Sequence, residues 1–158
     1  MKTASVQQIR EELEQLPPGK VLELCLKVIK FKKDSKELAS YLLFDAQDEA
    51  GYIENIRTET DEQFAELPHS TLYLTKKSLR KILRSLSKYA RHMNSVQAET
   101  EIRLHFCNKL QESGIPLHKS PALEKMYQQQ LKKIKELIDK LHEDLRYDYN
   151  KKFVVLST

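Results

Sequence analysis

Tryptophan is missing from this chain of 158 residues, which has only three glycines, five prolines and two cysteines. So few turn-forming residues leave a β-sandwich or barrel without the hairpin chemistry it needs. Three scattered glycines also exclude a phosphate-cradling loop. No apolar run is long enough to span a bilayer, and the segment Met1-Lys2-Thr3-Ala4-Ser5 lacks the hydrophobic stretch of a signal peptide. Two cysteines allow at most one disulfide, between Cys25 and Cys107. Cys25 and Cys107 each sit among apolar residues, and buried free thiols are the expectation for both. Reduced thiols and no export signal point to the cytoplasm.

What the chain does have is charge and helical periodicity. Charged residues make up 32% and hydrophobic residues 40%, with a net charge of +4 that by itself is too mild to imply nucleic acid. That mix suits amphipathic helices with one apolar stripe each. The expected fold is all-α: about seven helices as stacked antiparallel hairpins, either a HEAT-like α-α superhelix or a bundle, closed by a long C-terminal helix.

The first helix runs from about Ser5 to Leu16, with Val6, Ile9, Leu13 and Leu16 on one face, and ends at Pro17-Pro18-Gly19. The second spans about Lys20 to Lys33 and turns Val21, Leu24, Cys25, Val28 and Phe31 inward. Asp34 or Ser35, with Glu37, caps a third helix carrying Leu38, Tyr41, Leu42 and Phe44. Asp48 starts the fourth, which Pro68 closes. The fifth covers about Thr71 to Met93. The sixth is capped by Ser95 and stopped at Gly114-Ile115-Pro116. Ser120-Pro121 opens the seventh, which reaches about Asn150. Only Phe153-Val154-Val155-Leu156 has the composition of a strand.

The chain reads as one domain over 1–158, with candidate units at 20–67 and 76–150. Val21, Leu24, Cys25, Val28, Lys30, Phe31 and Lys33 align without gaps on Leu79, Ile82, Leu83, Leu86, Lys88, Tyr89 and Arg91. Such a match is what two stacked helical repeats would leave, although any two amphipathic helices align passably.

The stretch from Lys33-Asp34-Ser35-Lys36-Glu37-Leu38 through Tyr41-Leu42-Leu43-Phe44-Asp45-Ala46, followed by Asp48-Glu49 and Tyr52-Ile53, resembles a family of bacterial all-helical conserved hypothetical proteins, chiefly from the Bacteroidetes. The resemblance covers most of the chain. It implies an all-helical fold and a bacterial origin and supplies no site residues. The chain also resembles HEAT and armadillo solenoids in style, scaffolds that mostly serve as binding surfaces.

Charge is the most specific signal. Between Thr71 and Met93 lie seven basic residues and no acidic ones. Lys77, Arg80, Lys81, Arg84, Lys88 and Arg91 fall within an arc of about 100° on a helical wheel. Three readings stand open for this face: solvation or neutralisation by the acidic fourth helix (Asp48, Glu49, Glu54, Glu59, Asp61, Glu62, Glu66), contact with nucleic acid, or a protein partner. No aromatic residues interleave with the stripe, so base stacking is unsupported. On the seventh helix Tyr127, Leu131, Ile134, Ile138, Leu141 and Leu145 step by four and three, a heptad-like seam for self-association or for closing the core. A helix of about thirty residues would span about 45 Å, long enough to overhang a compact domain.

Chemistry finds no constellation. Glu101, His105 and Cys107 lie close on the sixth helix and Asp139 with His142 on the seventh, but neither has the remaining ligands of a metal set. Glu66 and His69 are separated by Pro68, which breaks the helix between them. Neither cysteine has an evident histidine partner, and no serine sits in a nucleophile elbow. The expectation is therefore a non-enzymatic helical scaffold or protein-interaction module with no metal, cofactor, membrane or small-molecule ligand. A nucleic-acid binder using the face at 76–91 is the alternative.

Overall fold

A computed structural model describes residues 1–158, and the chain is all-α. It divides into two compact units, Met1–Phe44 and Asp45–Thr158. The boundary lies away from the break between 67 and 76 expected from the pattern match.

The first unit holds α1 (Val6–Gln15), α2 (Pro18–Phe31) and α3 (Lys33–Ser40), and it ends within a π-helical turn over Tyr41–Asp45. Helix α1 begins with a capping box. The Ser5 hydroxyl accepts from the Gln8 amide at 3.2 Å, and the Ser5 amide donates to the Gln8 side chain at 2.9 Å. Pro18 opens α2, where a missing amide costs nothing. Helix α3 starts without a side-chain cap. Asp34 falls inside its first turn, and Glu37 pairs instead with Lys33 at 3.6 Å. Tyr41 is the sole buried residue of this unit.

The second unit contains α4 (Glu49–Ala65), α5 (Leu72–Met93), α6 (Val96–Glu112), a 3-10 turn at Leu117–Lys119, α7 (Pro121–Ile138) and α8 (Glu143–Ser157). Each of the first four helices begins at or beside its expected start. Side-chain oxygens of Asp48, Thr71, Ser95 and Ser120 accept backbone amides three residues on. Helix α6 is the hub and packs against α4, α5, α7 and α8. Its apolar residues point all round, so Ala98, Ile102, Leu104, Phe106, Cys107 and Leu110 are all buried. Four neighbours around one helix make this unit a bundle, not a row of hairpins that touch only in sequence order.

The long C-terminal helix expected from Ser120 to Asn150 is two helices. The chain leaves the helix after Ile138 and re-enters at Glu143, with His142 as the cap of α8. Unbroken, the helix would carry its last turns past the core. Folded back, α8 packs on α7 and α6 and buries Tyr149 and Leu156. The strand-like Phe153 to Leu156 is the last turn of α8, where Leu156 is 1% exposed while Val154 and Val155 face outward. Its carbonyl lies in the final turn, where helical carbonyls lack partners. Tyr127 Oη donates to it at 2.7 Å and Gln111 Nε2 at 3.0 Å.

Candidate interaction surfaces

The basic face of α5 is formed as the wheel predicts. Lys77, Arg80, Lys81, Arg84 and Arg91 are exposed, and Lys88 is half-buried with its ammonium 5.4 Å from the Tyr89 ring. The opposite face, with Leu79, Ile82 and Leu86 at 0 to 3% exposure, anchors the helix in the bundle. No carboxylate lies within ion-pair distance of Lys77, Arg80, Lys81, Arg84 or Arg91. Like charges on neighbouring turns of one face repel, at a few tenths of a kcal/mol per pair.

The acidic fourth helix spends its charge elsewhere. Asp61 meets His105 Nε2 at 2.7 Å and Lys109 Nζ at 3.6 Å, both on α6. Glu54 pairs with Arg57 at 3.5 Å, and Arg57 in turn reaches Glu101 of α6 at 3.1 Å. From α5 the acidic helix takes a neutral donor, with Tyr89 Oη giving a hydrogen bond to Glu59 at 2.7 Å. The acidic helix therefore supplies no ion pair to those five cations, and α6 takes its place as the charged partner.

The heptad-like seam is not open to a second chain. Tyr127, Leu131, Ile134, Ile138 and Leu141 are 0 to 7% exposed, and Leu145 is half-buried. The back-folded α8, together with α6, covers them, so the apolar spacing that suggested self-association instead fills the bundle's own core.

The polar candidates scatter into separate pairings. Glu101 accepts from Tyr149 Oη at 2.6 Å and pairs with Arg57, whereas His105 faces Asp61 and Cys107 is fully buried. Asp139 pairs with Lys135, and His142 Nδ1 accepts from the Asp144 amide. Glu66 closes α4 while His69 stands beyond Pro68 at the rim of a cleft with Phe64, Leu67 and Lys109. Burial pushes the Cys107 thiol up to about 12 despite the opposing charge of Arg103, far from a thiolate at neutral pH. Two polar nodes escaped the sequence reading because their members are far apart in the chain. One joins Gln111, Tyr127 and the Leu156 carbonyl. In the other, Arg103, only 7% exposed, bridges Glu99, Gln130 and Ser87.

The largest surprise lies in the first unit. Cys25 is exposed, contrary to the expectation of burial. So are its neighbours: Leu22 60%, Leu24 42%, Leu26 44%, Val28 56% and Phe31 81%. Val6 and Ile9 of α1, Leu16 at its C-cap, Leu38 of α3, and Leu42, Leu43 and Phe44 of the π turn are exposed as well. On α2 only Lys20, Glu23, Lys27 and Lys30 form a polar strip, about 80° wide, and the rest of the circumference is apolar. A helix of that kind needs cover on more than one side, and α3 is its one close neighbour within the unit. The α2 and α5 patterns match in sequence yet sit in unlike places, since Leu24 and Val28 are open where Ile82 and Leu86 are buried.

No helix is long and apolar enough to cross a membrane. Compared with protein-family models, curated proteins and solved structures, the chain matches none.

Proposed function

We propose that this chain is a non-enzymatic protein-interaction module, in which a self-cored helical bundle carries an apolar helical arm that closes against a protein surface. The observation that carries this reading is the imbalance between the units. The first 44 residues leave twelve large apolar side chains exposed, besides Met1, and bury one residue. Their summed exposed area is on the order of 1,000 Å², a large share for 44 residues when the largest contiguous apolar patch of a whole monomer is usually a few hundred Å². The bundle of 45–158 exposes six such residues, dispersed over α5, α6 and α8. An exposed free thiol at Cys25 and a buried one at Cys107 fit a reducing compartment such as the cytoplasm.

A photo-crosslinking residue placed at Phe31 or Leu22 of the full chain, in cells producing it, tests the reading. Protein adducts are expected at both positions and not at Tyr147, a control of similar exposure at 65%. Equal labelling at all three positions, or none, would discard the reading.

Five exposed, unpaired cations on α5 support a second reading, contact with a polyanion such as DNA or RNA. Its expected signature is binding at low salt that weakens steeply as salt rises. Replacement of Lys77, Arg80 and Arg84 by glutamate should abolish it. No gel shift at low salt, or a shift indifferent to those replacements, removes this alternative.

A further inference from the structure

We infer that the occupant of the apolar arm is the same arm of a second copy, so that the protein pairs through residues 1–44. The inference rests on the interaction reading above and adds the identity of the partner.

Area is the first argument. A standard stable interface buries about 800 Å² on each partner, and the exposed apolar side chains of the arm sum to on the order of 1,000 Å², spread round α2 with Leu22 and Phe31 on opposite sides. Apolar surface of this extent leaves water only when something equally apolar meets it, and another copy of the arm offers an equal area.

Charge is the second argument, and it selects a copy over an unrelated protein. From Arg10 to Glu23 the arm holds two cations and four carboxylates, whereas from Lys27 to Glu37 it holds five lysines and two carboxylates. The arm is acidic in α1 and basic from the second half of α2 onward. A two-fold axis is the commonest symmetry of protein pairs and requires a self-complementary surface. An arm with this polarity is self-complementary when two copies run antiparallel, because the acidic α1 of one then lies beside the basic α2 and α3 of the other. The side chains needed are not committed within the chain: Glu11, Glu12, Lys27, Lys30, Lys32 and Lys36 form no internal ion pair. Glu11 accepts only a neutral hydrogen bond from Gln7 at 3.0 Å.

Sedimentation of the purified full chain tests the inference. Wild type should show a concentration-dependent species of twice 18.6 kDa. The double variant Leu22→Glu, Phe31→Glu sets a carboxylate on each side of α2, and it should weaken pairing about thirtyfold or more, as loss of a buried anchor does. Both sites are exposed and lie outside the bundle, so the cooperative unfolding transition of the bundle should match wild type. A charge exchange then tests the antiparallel arrangement. Glu11→Lys with Glu12→Lys in one chain, and Lys27→Glu with Lys30→Glu in another, should each weaken self-pairing. Mixing the two chains should restore a heterodimer.

A wild type that stays monomeric at the highest attainable concentration overturns the inference. If Phe31 still crosslinks selectively to other proteins, the interaction reading survives without it. Crosslinks from Phe31 only to the chain's own bundle overturn both. A dimer indifferent to Leu22→Glu, Phe31→Glu places the interface elsewhere and overturns the inference. Failure of the mixed charge variants to pair overturns the antiparallel two-fold arrangement.

Discussion

Tyr127 carries two roles in one side chain. Its ring is 6% exposed in the core, and its hydroxyl accepts from Gln111 at 2.6 Å while donating to the Leu156 carbonyl at 2.7 Å. Tyr127→Phe keeps the packing and leaves Gln111 as the one side-chain donor to that carbonyl. The expected loss is about 1–2 kcal/mol, readable by urea denaturation as a lower midpoint with an unchanged slope. Burial, more than any neighbouring group, raises the Tyr127 phenol to about 12 from 10.0, and burial does the same to Tyr149. Cys107 rises to about 12 from 9.0. For all three the folded state keeps a proton that the unfolded chain has already lost. Stability therefore holds below about pH 9 and falls as pH climbs through 10 toward 12. Tyr127→Phe removes one of the three contributions, so its stability should decline less steeply over that window than wild type. An equal alkaline slope in both proteins would contradict the assignment.

At the scale of elements, α7 and α8 differ most from what periodicity suggests. The residues after Pro121 include no glycine or proline, so nothing in local turn chemistry marks the bend at Asp139 to His142. The legible trace is weak: Glu143 and Asp144 in the first turn of α8, where carboxylates favour a helix start. Starts written in a single side chain were legible, as at Asp48, Thr71, Ser95 and Ser120. The site divides the same way. The basic arc of α5 follows from helical geometry alone, so its exposure could be placed from spacing. The spacing of Leu24, Cys25, Val28 and Phe31 says equally well that a face is apolar, but not what covers it, and burial was the wrong inference there. The seam of α7 shows the reverse error. Ile138 is 0% exposed beneath the bundle's own helices, so Ile138→Lys should not act as a dimer-breaking surface change. It removes a core side chain and places an unpaired ammonium in an apolar site, at an expected cost of more than about 4 kcal/mol. That is much of a small domain's stability. The measurable outcome is loss of the cooperative thermal transition, and a folded Ile138→Lys protein with altered oligomeric state would restore the seam as an interface.

For the whole molecule, unequal packing predicts unequal stability. Helices α1 and α2 have ten and fourteen residues and bury none of them. Isolated helices of that length are marginal in water, because nucleation is costly and little packing repays it. The bundle, in contrast, fully buries Leu79, Leu86, Ile102, Phe106, Leu110, Leu123, Ile134 and Ile138 around α6. Amide exchange at dilute protein concentration should therefore be fast throughout 1–44 and slowest in α6 and the facing turns of α5 and α7, since protection follows the packing that must be undone. The arm's pairing and its stability are linked. If its helices are firm only when their apolar faces meet another copy, protection over 1–44 should rise with protein concentration while that of α6 stays constant. The variant Leu22→Glu, Phe31→Glu should abolish the rise and leave the bundle's exchange untouched. Strong protection of α2 at the lowest concentration would mean that the arm is stable without a second copy, and its exposed leucines would need another explanation.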